Sequence, residues 1–237
     1  MASPAQRHRL AHEALAAAQH QSDPSELTAY QQLQQQYIAD KTLLSNLASM
    51  QDKIAYKAQA LPKYQDWLNS VLQSGQAHPS DTLTPNLLIW QIDCGQLNEA
   101  MPLARFAIEH NLQSSDEYQR NLPTIIIEQY AEQISRGAAI DLEHLNTLVQ
   151  WATEKQNNQH THNIPDAVRA KLLKTAGEQL EDSDPQTALV LYQQALGYNE
   201  KVGVKKQIEA LRKALLAAKI ISYAQGFMLI REASEQH

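Results

Sequence analysis

A cluster of carboxylates could bind a metal ion. Glu181, Asp182 and Asp184 lie within four residues of one another, and grouped carboxylates can hold Mg²⁺ for phosphodiester chemistry. A simpler interpretation makes Asp184 the N-cap of a helix, because Pro185 follows it directly and is favoured in a first helical turn. The cluster is therefore interpreted mainly as a helix start.

Two histidines form a second possible metal site. His160 and His162 are two residues apart, with Asp166 nearby, but a second pair of ligands at a set spacing does not accompany them. They are interpreted as solvent-exposed loop residues. The sequence also contains no glycine-rich phosphate loop, no nucleophile elbow and no zinc-protease motif, so the catalytic residues are unknown and no metal is assigned. No cofactor is predicted, with Mg²⁺ possible only if the protein is a nuclease.

A basic stretch is the strongest binding signal in an acidic protein of net charge −6. Six basic residues accompany a single acidic residue, Glu209, between positions 201 and 219. Such a stretch can neutralise DNA phosphates, and the alternative is a solvated helix face. The predicted DNA-binding residues are Lys201, Lys205, Lys206, Arg212 and Lys213, with Arg7 and Arg9 as a second contact.

Composition predicts which kind of fold must position these residues. The 237 residues are 43% hydrophobic and include only seven glycines, nine prolines and one cysteine, Cys94. Helix-forming residues dominate, and no segment alternates convincingly with a period of two. A single cysteine excludes an internal disulfide framework, and the first residues do not form a secretory signal. We expect a soluble, cytoplasmic, all-α protein.

The predicted architecture is an array of about ten helices with a long C-terminal helix. Two segments, 90–112 and 177–199, each resemble a tetratricopeptide-like helical hairpin with small residues between its helices. Polar stretches at 74–80 and 156–164 are candidate linkers. The predicted domains are an N-terminal helical segment (1–75), a helical-hairpin core (76–200) and a basic, then apolar, C-terminal helix (201–237).

The C-terminal helix carries two apolar seams. The first has heptad spacing, which is typical of helix pairing, and predicts an oligomer in which it pairs subunits; its residues are Val204, Ile208, Leu211, Leu215 and Ala218. The second is displaced by about 100° around the helix and comprises Leu216, Ile220, Tyr223, Phe227 and Ile230. The apolar run is interrupted by polar residues and is interpreted as too short for a membrane span.

Five segments, in order, resemble those of the small, endonuclease-subunit terminases of tailed phages with cohesive-end DNA. They are SPAQRH (3–8), LIWQIDCG (88–95), ARFA (104–107), IPDAVRAKLLKTAG (164–177) and GVKKQIEALRK (203–213). The resemblance implies that the protein joins a large ATPase subunit, binds double-stranded phage DNA near the cohesive-end site and directs its cleavage in the bacterial host. The family is described as the endonuclease subunit of terminase, although no nuclease motif is visible in this sequence.

The end of the chain resembles a different family. Residues 208–237 are similar to one helix of the decarboxylating 6-phosphogluconate dehydrogenases, whose dinucleotide fingerprint and catalytic part are absent. A composite gene end is therefore plausible. Two further functions stay open beside the terminase role: a helical protein-binding scaffold that does not contact DNA, and a metal-dependent nuclease acting alone.

Overall fold

A computed structural model describes residues 29–77, 81–113 and 120–235. Within these ranges the chain forms ten α-helices, which confirms the all-α prediction. The helices are α1 (Ala29–Asn46), α2 (Met50–Ala60), α3 (Gln65–Ser74), α4 (Leu83–Asp93), α5 (Leu97–Glu109), α6 (Leu122–Ser135), α7 (Leu142–Thr153), α8 (Asp166–Leu180), α9 (Pro185–Tyr198) and α10 (Lys205–Glu235). The sequence also predicts an amphipathic helix at 4–20, which lies outside the described residues.

Local signals position several helix ends. Asn121 and Asp184 are the N-caps of α6 and α9, and each side chain accepts a hydrogen bond from the backbone N–H three residues later. Pro62 lies in a 3₁₀ turn, Leu61–Tyr64, between α2 and α3. Glycines at 75, 95, 137 and 203 have a positive φ, which is typical of the turns that end helices.

The chain divides into two compact units, Met1–Lys53 and Ile54–His237. Helix α1 is the described helix that lies wholly in the first unit, and α3 to α10 lie in the second. The division falls inside α2, some twenty residues before the predicted boundary at 75. The domains 1–75, 76–200 and 201–237 stay predictions.

The core of the second unit is built by helix pairs joined by short turns. Both predicted hairpins form: α4 packs on α5, and α8 packs on α9 in the most extensive helix contact among the described elements. At Gly177 a Cβ atom would lie 2.6 Å from Cε1 of Tyr192. The absence of a side chain at Gly177 therefore lets α9 approach α8 closely, as the small-residue spacing predicts.

The predicted linker at 156–164 is instead a structured segment. Lys155–Gln156 and Gln159–His160 form a two-residue antiparallel hairpin, β1 and β2, whose turn residues Asn157 and Asn158 have positive φ. Ile164, at the end of the segment, is buried. The expectation of a free polar linker was wrong because composition does not register the tight asparagine turn or the partners that the segment finds in α8.

Candidate nucleic-acid interface

The predicted DNA-binding residues that the structure describes lie at the start of α10. Lys201 is in the turn that precedes the helix, and the other four are exposed in its first three turns. Lys213 forms an ion pair with Glu209 at 2.6 Å (Nζ to Oε1) one helical turn away. Arg7 and Arg9 lie outside the described residues.

The basic side chains share one side of α10. At 100° per residue, Lys205, Lys206, Arg212 and Lys213 fall within an arc of roughly 120°, with Glu209 in its middle. The buried residues Val204, Ile208 and Leu211 occupy a different arc of the helix. The first turns of α10 therefore present an apolar side to the fold and a basic side to solvent.

Most of the first apolar seam is already buried within the chain. Val204, Ile208 and Leu211 are buried, and α9 is the element that packs on α10. Leu215 is half-buried and Ala218 is exposed. Pairing of subunits through this seam can therefore involve only its distal end, because its first three residues already have a partner. A heptad pattern predicts a helix partner without saying whether that partner belongs to the same chain.

The second seam has no such cover within the described residues. Leu216, Phe227 and Ile230 are 61%, 71% and 68% exposed, and the remaining members, Ile220 and Tyr223, are also largely exposed. By helical angle this seam continues the basic side of the first turns. One side of α10 thus changes from basic to apolar along its length.

Two carboxylates of the acidic cluster, Asp184 and Glu181, form hydrogen bonds within the fold. Asp184 accepts hydrogen bonds from the Thr187 backbone N–H at 3.0 Å and from its hydroxyl at 2.6 Å, and these bonds lower the pKa of the Asp184 carboxyl. Glu181 accepts a hydrogen bond from the Tyr192 hydroxyl at 2.8 Å. Across the described ranges, no group of three or more His, Cys, Asp or Glu side chains is arranged to hold a metal. The N-cap interpretation of Asp184 is confirmed.

The two histidines belong to a packed region around Arg169, a residue that sequence reasoning missed. Both are half-buried, so the expectation of solvent-exposed loop residues was wrong. The His162 carbonyl accepts a hydrogen bond from Arg169, and Nε2 of His160 lies 3.3 Å from the Tyr198 hydroxyl. Burial, reinforced by the positive charges of Arg169 and Lys155, lowers the pKa of His160. The sequence offers one signal for the role of Arg169, which is an arginine on an otherwise apolar face of α8. Because α8 contains several charged residues, this signal does not distinguish Arg169 from the others.

Comparison with known proteins decides the family. The sequence model of the phage small terminase subunit family matches residues 32–167. The chain is 34% identical over 217 residues to the "Terminase, endonuclease subunit" of Escherichia phage P2, covering 91% of this chain and 86% of that protein. The chain belongs to the phage small terminase subunit family. A "Probable terminase, endonuclease subunit" of Haemophilus phage HP1 is 27% identical over 177 residues, covering 67% of this chain and 60% of that protein.

The C-terminal part of this terminase subunit also matches another family. The model of the 6-phosphogluconate dehydrogenase C-terminal domain matches residues 147–237. The decarboxylating 6-phosphogluconate dehydrogenase of Haemophilus influenzae is 88% identical, but over only 32 residues, which are 14% of this chain and 7% of that enzyme. The similarity is a short local match and does not imply dehydrogenase activity. No solved structure matches the chain.

Among the described residues, Lys205–Glu232 of α10 is long and apolar enough to cross a bilayer by length and composition alone. Length therefore does not exclude a membrane span, although the sequence interpretation assumed that it does. Core helices of soluble proteins can have the same length and composition. In this terminase subunit the segment starts with the basic turns that pack on α9, so only its distal half lacks a partner within the described fold.

Proposed function

We propose that this terminase small subunit binds double-stranded phage DNA through the basic side of α10 and works with the large ATPase subunit near the cohesive-end site, in the cytoplasm of the bacterial host. The observation that carries the proposal is the placement of Lys205, Lys206 and Arg212 on the solvent side of a helix whose opposite residues fasten it to the fold. Such an arrangement presents cations rigidly to a phosphate backbone.

The overall charge of −6 makes this local concentration of cations necessary. An acidic protein is repelled by DNA at long range, so binding requires a surface on which cations outnumber carboxylates. Phosphate contacts of this kind position the protein without reading the base sequence. We therefore expect these residues to contribute affinity, with recognition of the cohesive-end site supplied elsewhere or by the assembled terminase.

Replacing Lys205 and Lys206 together by alanine should weaken binding to all duplexes alike. Each phosphate contact releases about one counterion, so the slope of log affinity against log salt should fall in magnitude by roughly 1 to 2. Fluorescence anisotropy over a series of salt concentrations measures both quantities. Lys41→Ala with Lys63→Ala is the matched control, since it removes the same charge from exposed positions outside α10. Unchanged affinity and slope in the α10 variant would show that the basic side is only solvated.

A helical protein-binding scaffold is the alternative function. The observation that favours it is the pair of helical hairpins, α4–α5 and α8–α9, which is an arrangement used in protein-binding arrays. The same salt series separates the two functions, because a scaffold would show a slope near zero for duplex DNA.

We also expect that this chain alone does not cut DNA efficiently. Metal-assisted hydrolysis needs carboxylates that converge on one or two ions, whereas Asp184 is engaged as a helix cap and Glu181 is bonded to Tyr192. Cutting should therefore depend on the large subunit. Incubation of purified protein and Mg²⁺ with cohesive-end DNA, with and without that partner, measures this. Site-specific nicking by this chain alone, abolished by Asp182→Ala with Asp184→Ala, would establish it as a nuclease in its own right.

A further inference from the structure

A cavity of about 330 Å³ opens where α7, the β-hairpin and α9 meet. It is lined by Thr153, Lys155, Gln194, Gly197 and Tyr198. None of the lining side chains is acidic. The ammonium of Lys155 and the amide of Gln194 are hydrogen-bond donors that suit a small anionic group, while the Tyr198 hydroxyl lies 3.3 Å from Nε2 of His160.

Gly197 is the residue whose type the fold does not explain. It lies in the last turn of α9 without a positive φ, and a Cβ atom there would meet nothing within 4 Å. Glycine in a helix is less stable than alanine by up to about 1 kcal/mol. Gly177 differs, because the Tyr192 ring excludes a side chain there. At Gly197 the consequence of having no side chain is that the cavity stays open.

The local charge also favours an anion. The guanidinium of Arg169 is buried behind the cavity wall and lies 5.9 Å from the centre of the Tyr198 ring. Arg169 hydrogen-bonds to backbone carbonyls, so its positive charge is not cancelled by a bonded carboxylate; Asp166, 4.0 Å away, is largely exposed. At the rim, the exposed positive charge of Lys155 lies beside the exposed negative charge of Glu154, so the buried Arg169 is the charge that favours an anion.

The cavity lies close to the start of α10 along the chain. Tyr198 precedes Lys201 by three residues, so their Cα atoms are at most about 11 Å apart. A duplex that contacts Lys201 would have to extend about 11 Å to reach the cavity wall at Tyr198. Its backbone supplies the phosphates that the donor set suits.

We infer that the cavity around Gly197 binds a phosphate group, supplied by the DNA backbone as a second contact beside α10, with Lys155 and Gln194 as donors. This inference rests on the proposed DNA binding. It assigns Gly197 the role of keeping the site open. The nearest other source of the same chemistry is the phosphate chain of a nucleotide.

Gly197→Ala is the decisive variant, since it should stabilise α9 while partly filling the site. We expect a melting temperature equal to or above that of the wild type, with duplex affinity lowered about 3- to 10-fold at constant salt. Gly226→Ala is the matched control, because its Cβ would also meet nothing within 4 Å and it lies far along α10. It should leave duplex affinity unchanged. Lys155→Ala should weaken binding and lower the magnitude of the salt slope by about 1.

The outcomes separate this inference from the proposed function. If the Lys205 and Lys206 double variant loses affinity while Gly197→Ala and Lys155→Ala bind as the wild type does, the cavity inference is overturned and the α10 interface stands. If the wild type shows no salt-dependent binding, both fail. Calorimetric titration with ATP and with inorganic phosphate tests the source: saturable micromolar ATP binding that Lys155→Ala abolishes would overturn the assignment to DNA.

Discussion

Substitution of Arg169 by leucine should destabilise the protein by about 3 to 5 kcal/mol, a large part of the stability of a typical domain. Arg169 is 1% exposed. Its Nε donates to the Ile164 carbonyl at 3.0 Å, and its two terminal nitrogens donate to the carbonyls of His162, at 2.6 Å, and Ala152. Leucine would leave these acceptors without partners inside the fold, and each such loss costs about 1 to 3 kcal/mol.

The geometry of Arg169 suggests two comparisons. Arg169→Lys keeps the charge but offers one ammonium in place of a planar fork, so it should recover little of the lost stability. Arg136→Leu removes an exposed arginine that is paired with Glu132 at 2.8 Å, and it should cost no more than about 1 kcal/mol. Urea unfolding followed by circular dichroism measures all three. A value for Arg169→Leu within about 1 kcal/mol of the wild type would contradict the structural role.

Arg169 also shows why the sequence predicts helices better than their junctions. The start of α9 could be predicted because a cap and a proline act over three or four residues of the same segment, and the start of α6 has the same local signals. The acceptors for Arg169 are backbone carbonyls on α7 and on the segment before α8, and carbonyls leave no trace in residue types. A buried arginine therefore has the same sequence signature as an exposed one.

The segments that carry the family resemblance contain residues that build the fold. Residues 164–177 include Arg169 and Gly177, which join α8 to the β-hairpin region and to α9. Residues 203–213 include Val204 and Ile208, which fasten α10 to the fold. The segments that identify the family therefore contain residues that pack the fold. They do not show which residues bind DNA, so the predicted DNA-binding residues stay a proposal.

The distal half of α10 carries the second apolar seam, which can pair subunits. Leu216, Ile220, Tyr223, Phe227 and Ile230 form an apolar side that the described fold leaves in solvent. Burying each such side chain contributes about 1.5 to 3 kcal/mol. A second copy of the helix offers a surface of the same shape, so self-association is the predicted way to remove this side from water.

Ile220→Asp combined with Phe227→Asp should therefore weaken self-association by at least about a hundredfold, since two buried contacts are lost and charges are placed in the seam. Sedimentation velocity over a concentration series measures the effect on the full chain. Val190→Asp is the control, because Val190 is an exposed apolar residue on α9, away from the seam. Leu211→Asp is unsuitable as a test of self-association, because Leu211 is buried within the chain and a charge there would disrupt the packing of α10 on the fold.

The result of that experiment discriminates between a second copy and the other ways of covering the seam. Oligomers of the wild type that become monomers in the double aspartate variant, while the Val190 control still associates, would assign the seam to self-association. A wild type that is strictly monomeric at high concentration would contradict it, as would a double variant that associates as strongly as the wild type. A monomer that binds lipid vesicles through Ile220 and Phe227 would show that the seam contacts a membrane surface and not a second copy. The helix has the length and composition for contact with lipid.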